Sequence, residues 1–182
     1  MTELKGNKCR LRSWHSGDAD QLISQANNRL IANNLRDSFP YPYSMQDARA
    51  WIEFATKAPK TLFAIAIDEK LAGGIGFHLL SDVYRKNAEL GYWLGEKFWN
   101  QGIATEAVEL IIPYIFKNFD INRIFAECFS DNPGSGRVLE KAGFRFESRH
   151  IRSIYKNNEY KDSHIYALLK EEWVKKSTAL NG

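Results

Sequence analysis

Residues 98–108 read Phe-Trp-Asn-Gln-Gly-Ile-Ala-Thr-Glu-Ala-Val, an aromatic pair and a small-residue doorway ahead of good helix formers. The first turn of a helix carries N–H groups without partners and the positive end of the helix dipole. With Gly102 and Ala104 small, a large anion can approach the amides of Gln101, Gly102, Ile103, Ala104 and Thr105. Close helix packing explains the same small residues equally well, so this loop alone fits both readings. A second helix entrance lies about thirty residues on, where Asn132 stands as an N-cap ahead of Pro133 at the first helical position.

Groups that move protons are few. Glu89 lies in Ala-Glu-Leu-Gly-Tyr-Trp, where an isolated carboxylate is unusual. It is either a base or an outward-facing partner of a Lys or Arg. His78, in an apolar strand-like run, is the alternative base, although a lone histidine there is more often structural. Cys9 and Cys128 have no CxxC partner and no Cys/His metal spacing, so neither a disulfide framework nor a zinc site is expected. They read as buried thiols in a reducing cytoplasm. Cys128 has no neighbouring His to activate it, so neither a covalent enzyme intermediate nor a metal is expected.

The elements that must position these groups follow from periodicity. Residues 8–14 alternate as a strand. Leu22, Ile23, Ala26 and Leu30 recur at helical spacing, and a second helix begins at Ser44, with Asp47 three residues on as an approximate capping box. Residues 61–68 and 71–80 flank the short turn Glu69-Lys70 as an antiparallel hairpin. A strand near 88–95 enters the quoted loop, whose helix runs to about Phe119 with Pro113 inside it. Residues 123–129 form a strand, 133–143 a helix ending at Gly143, and residues 145–157 and 160–170 a closing strand pair. The expectation is an α/β fold of α+β type: one domain over 1–175 and a flexible tail over 176–182. A mostly antiparallel twisted sheet of about seven strands is flanked by about four helices.

Composition narrows the function classes. The chain has 182 residues, 44% of them hydrophobic, which is enough to bury a real core. The net charge of +3 suits an anionic small molecule and does not call for nucleic acid, and the aromatics do not interleave with Lys and Arg as a stacking platform would. No stretch reads as a signal peptide or a membrane span, so the expected location is the cytoplasm.

Taken together, the strand Ala88–Gly95, the loop Trp99–Ala104 and the run Asn132-Pro-Gly-Ser-Gly-Arg resemble the GNAT superfamily of acetyl-CoA-dependent N-acetyltransferases. The likeness is to the branch that acetylates ribosomal-protein N-termini, and it extends to residues 39–52 and 159–173. It implies a GNAT fold with a splayed cofactor slot and a family loop that wraps the pyrophosphate of coenzyme A. Trp99 replaces the Gln or Arg that opens that loop, a departure usual in this branch. The resemblance implies backbone contacts to the pantothenate arm from Tyr92, Trp93 and Leu94, with an N–H near Leu94 on the thioester oxygen. It also implies that Asn132 binds the pantetheine and that Ser135 sits near the sulfur as proton donor, because Leu139 occupies the position of the family's acidic Tyr. Glu89 is then the first candidate for the base, ahead of His78. Tyr41, Tyr43, Trp51, His78 and Asp162 line the acceptor side, where core packing and turn capping remain the alternatives.

The expected reaction is direct attack of a primary amine, a protein or peptide α-amine, on the thioester in a ternary complex. A small-molecule acceptor (polyamine, aminoglycoside or metabolite) and a non-catalytic acyl-CoA-binding module are the other readings. Monomer and homodimer are both compatible with the sequence.

Overall fold

The computed structural model describes residues 2–58 and 60–179. Among them lie eight strands and six α-helices, one strand and two helices more than expected. The chain falls into two compact units, one from Met1–Gly76 and Tyr92–Leu110, the other from Phe77–Gly91 and Ile111–Gly182. Hydrogen-bonded strand neighbours follow the order Leu4–Lys5, Arg10–Arg12, Leu62–Ile67, Lys70–Leu79, Asn87–Leu94, Arg123–Phe129, Glu159–Leu169, Arg145–Lys156.

In the first unit, β1 (Leu4–Lys5) and β2 (Arg10–Arg12) form the N-terminal hairpin. Strand β1 has only two residues, too few to show alternation, and it is the strand beyond the seven expected. β2 pairs antiparallel with β3 (Leu62–Ile67). β3 continues into β4 (Lys70–Leu79) through Asp68 and Glu69, whose φ of 46° and 67° give the tight left-handed turn that matches strand twist. The turn thus sits one residue earlier than Glu69-Lys70.

The periodic run from Leu22 to Leu30 is not one helix. Asn28 turns extended and its side chain accepts from the N–H groups of Leu30 (2.8 Å) and Ile31 (3.4 Å), which starts a new helix. The run is therefore split into α1 (Ala19–Ala26) and α2 (Arg29–Ala32), and Leu30 is left 50% exposed. α3 (Met45–Lys57) opens on the expected capping box between Ser44 and Asp47. Its Ala48, Ile52 and Ala55 join Trp14, Leu22, Tyr43 and Leu62 in one apolar core.

In the second unit, β6 (Arg123–Phe129) pairs in parallel with β5 (Asn87–Leu94) at three positions, Asn87↔Arg123 to Glu89↔Phe125. The parallel register ends there, while β6 goes on pairing with β8 (Glu159–Leu169) as far as Phe129↔Ser163. This is the expected parting of neighbouring strands, and a Cβ added at Gly91 would meet only open space. β8 closes with β7 (Arg145–Lys156) as the antiparallel pair read from sequence.

Helix α4 (Ile103–Asn118) carries Pro113 inside it. α5 (Pro133–Lys141) begins on Asn132 and stops at Gly143, whose φ of 96° lets Phe144 N–H reach back to Leu139 O at 3.0 Å. A last helix, α6 (Lys170–Ala179), was not expected. Its run Lys-Glu-Glu-Trp-Val-Lys-Lys is polar, and its anchor is Trp173, which stacks on Phe116 with ring centroids 5.5 Å apart. α6 takes in residues 176–179 of the segment read as a tail, and 180–182 lie outside the described residues.

Candidate active site

In the first unit the loop is built as the small residues require. A short 3-10 turn, Glu96–Phe98, leads to Asn100 and Gly102, whose φ values are 60° and 77°. Gly102 is the position where an L side chain would be strained. The first main-chain bond of α4 runs from Glu106 N–H to Gly102 O at 3.0 Å, so the amides of Gly102, Ile103, Ala104 and Thr105 all precede it. Gly102 is exposed and Ile103 is buried, so the turn is anchored by one apolar side chain while its opening faces solvent. Amides at a helix start with an exposed left-handed glycine fit a diphosphate.

Trp99, where the family has Gln or Arg, has another task. Its indole Nε1–H donates to Leu94 O at 2.7 Å and ties the loop to the end of β5. Gln101 is likewise held, by a 2.8 Å bond from its side-chain amide to Lys97 O. Along β5, Tyr92 and Trp93 are half-buried and Leu94 is buried. Two glycines of β4 allow this close approach: a Cβ at Gly73 would lie 2.2 Å from Trp93 O, and one at Gly74 would lie 2.8 Å from Trp93 Nε1.

The proposed acceptor wall divides. Tyr41 is 50% exposed, but Tyr43 is 5% exposed and belongs to the core, stacked on Phe39 at 5.1 Å. Burial pushes its phenol up to about 12. Trp51 packs edge-on against Trp14 at 6.0 Å, which favours the packing reading for it as well.

In the second unit, Asn132 caps α5 as expected, its Oδ1 accepting Ser135 N–H at 3.2 Å. Ser135 is the third residue of α5. Its hydroxyl hydrogen-bonds the Cys128 thiol, an arrangement that favours the thiolate, yet burial dominates and pushes that thiol up to about 11. Position 139, the family's tyrosine position, is a fully buried leucine in the core.

Glu89 is half-buried at the last parallel pair of β5 and β6, flanked by buried Ala88 and Leu90. His78 is exposed near the end of β4. Asp162 is engaged: it accepts from Arg149 Nε at 2.6 Å and from Arg152 N–H at 2.7 Å, pinning the irregular stretch of β7 between His150 and Ile154. Those bonds hold its carboxyl below the usual carboxylate range. The turn-capping reading of Asp162 is the one the geometry matches.

Three groups escaped the sequence reading. Tyr166, on β8, lies against α5, and a Cβ added at Gly136 would sit 2.7 Å from its hydroxyl. Burial first, then the nearby Glu140 carboxylate, raise its phenol. In the first unit, Glu106 accepts from the N–H groups of Asn7, Lys8 and Cys9 at 2.8–2.9 Å, and Lys8 Nζ donates to Gln101 O at 2.9 Å. Partners 93 to 99 residues apart leave no trace in local spacing.

Residues 8–145 match the family model of the acetyltransferase (GNAT) domain. The uncharacterized N-acetyltransferase p20 of Bacillus licheniformis is 33% identical over 95% of this chain and 99% of the relative. The ribosomal-protein-serine acetyltransferase of Escherichia coli K12 is 32% identical over 58% of this chain and 59% of the relative. The chain spans about 57% of the length of the first curated relatives it matches. A crystal structure of a GNAT-family acetyltransferase from Bacillus anthracis superposes with a TM-score of 0.83 at 26% identity, over 93% of this chain and 99% of the other. With most of its length matched by that family model and with this strand order and loop geometry, the chain belongs to the GNAT acetyltransferase family.

Proposed function

We propose that this chain is an acetyl-CoA-dependent N-acetyltransferase acting on a primary amine, the α-amine of a protein or peptide. The observation that carries the reading is the helix start at Gly102, open at its amides, in a chain of the GNAT family. Residues 1–175 act as one catalytic domain. The two unbridged, buried thiols fit a reducing cytoplasm.

Each group has a part. The amides of Gln101 to Thr105 take the diphosphate, and the backbone of Tyr92, Trp93 and Leu94 takes the pantetheine as an added strand would. An N–H near Leu94 stabilises the charge that develops on the thioester oxygen. Asn132 serves as both helix cap and pantetheine contact. The chemistry requires a neutral amine, and an α-amine has a pKa near 8, so a base must take a proton before or during attack. Glu89 fills that role from β5, with His78 as the alternative. Ser135, beside Cys128, turns its hydroxyl to the departing thiolate and donates to it. The attack is direct, because neither cysteine is activated: burial pushes the Cys9 thiol up to about 12 and the Cys128 thiol up to about 11.

The acceptor class follows from charge. A polycation calls for several convergent free carboxylates. Asp162 is held by Arg149 and Arg152, and Asp47 is held in the Ser44 capping box. An acceptor with a single amine suits such a chain better, and the likeness to a ribosomal-protein-serine acetyltransferase points the same way. The test is kcat/KM on peptides beginning with Ser, Ala or Thr against N-blocked copies, spermidine and an aminoglycoside. Activity that survives blocking, or a preference for the polyamine or the sugar, removes the α-amine assignment and leaves acetyl transfer standing.

A further inference from the structure

The N-terminal hairpin and the phosphate-type loop are clamped to each other within the first unit. The turn that joins β1 to β2 presents three successive N–H groups, of Asn7, Lys8 and Cys9, to one carboxylate, Glu106 in the first turn of α4. The turn is closed on itself by Gly6 N–H to Cys9 O at 2.9 Å. Burial works to raise the Glu106 carboxyl, but these amide bonds prevail and keep it ionised. The grip runs the other way as well. Lys8 Nζ donates to Gln101 O at 2.9 Å, and a Cβ built on Gly102 would meet that same Nζ at 2.7 Å.

The side-chain nitrogen of Lys8 is therefore held directly over the glycine that opens the loop. An ammonium has three donors, and the carbonyl of Gln101 uses one. Among the described residues Lys8 takes part in no ion pair, while nearby Lys5 and Arg10 both pair with Glu3. Its backbone is held by Glu106 and its Nζ by Gln101 O, so part of its freedom is given up before binding.

We propose that Lys8 is a further cofactor-binding residue, whose ammonium pairs with a phosphate oxygen of the coenzyme A diphosphate at Gly102 and selects thioesters that carry the nucleotide. Glu106 is the positioning residue that sets Lys8 in place. The inference rests on the reading of the loop as a diphosphate site. It gives the N-terminal hairpin a purpose: it delivers one charge to a loop whose own residues, Gln101 to Thr105, have none at the anion.

The experiment is calorimetric titration of Lys8→Gln, Glu106→Gln and Lys5→Gln with coenzyme A at several salt concentrations. It is joined by kinetics with acetyl-CoA and with S-acetylpantetheine, which lacks every phosphate. Lys8→Gln is expected to weaken coenzyme A binding roughly five-fold, with a flatter salt dependence. Its kcat/KM with S-acetylpantetheine is expected to equal that of the wild type. Glu106→Gln should weaken coenzyme A binding too, and the double variant should fall short of the product of the singles because both act through one ammonium. Lys5→Gln removes the same charge from the same hairpin and should bind normally. Equal weakening by Lys5→Gln, unchanged binding by Lys8→Gln, or an equal loss on S-acetylpantetheine would each overturn the assignment. If the wild type itself fails to bind coenzyme A, the loop reading fails first, which is a separate result.

Discussion

At the scale of single residues the proposed division of labour rests on Glu89, Ser135 and Cys128. Glu89→Gln keeps the shape of the side chain and removes the proposed base. A fall in kcat on the order of 10²-fold is expected, with acetyl-CoA affinity nearly unchanged. An unaltered pH–rate profile in that variant would move the role to His78 or to solvent. Ser135→Ala should lose less, and in kcat. Cys128 lies beside Ser135 but remains a thiol at neutral pH, because burial lifts it to about 11. Its alkylation by iodoacetamide should be slow at pH 7 and rise about ten-fold per pH unit until the pH nears that value. Cys128→Ala should retain most activity, and trapping of an acetylated Cys128 without acceptor would contradict direct transfer. The Ser135–Cys128 contact was not legible in sequence, since it joins β6 to α5 across a turn that spacing alone does not fold.

At the scale of elements, the same contrast explains which parts of the site could be read in advance. The entrances to α4 and α5 were legible because glycine at positive φ, asparagine caps and proline at the first helical position act through the local backbone. The split at Asn28 was not, because the apolar spacing carries straight across it and only the cap geometry ends the first helix. Asp162 stayed open between acceptor recognition and turn capping for the same reason: its partners Arg149 and Arg152 lie on the other strand of the hairpin. The helix start itself can be tested. Gly102→Val should lower coenzyme A affinity by about 1–3 kcal/mol through blocked amides. Its φ of 77° adds backbone strain of roughly 1–2 kcal/mol to the folding cost. Normal binding by the folded fraction would mean that packing alone explains the glycine. Gly136→Val tests the other helix, since its side chain would drive into the Tyr166 hydroxyl 2.7 Å from the Cβ position. A destabilisation of about 1–3 kcal/mol is expected by thermal or denaturant unfolding.

At the scale of the whole molecule, the account is a transferase that contributes positioned amides, one base and one donor, and leaves the carbon chemistry to the thioester. Family and fold were readable because the loop, the strand before it and the helix after β6 come in a fixed order, and local chemistry marks each. The acceptor was less readable, since aromatics such as Tyr43 serve the core as readily as a binding wall. The central claim is acetyl transfer to an α-amine with both substrates bound at once. It is tested most directly by initial-rate kinetics with acetyl-CoA and a short peptide beginning with serine, following release of the coenzyme A thiol, with an N-blocked copy as control. The account predicts double-reciprocal lines that intersect, and no thiol release above hydrolysis with the blocked peptide. Parallel lines, or equal release with the blocked peptide, would contradict it.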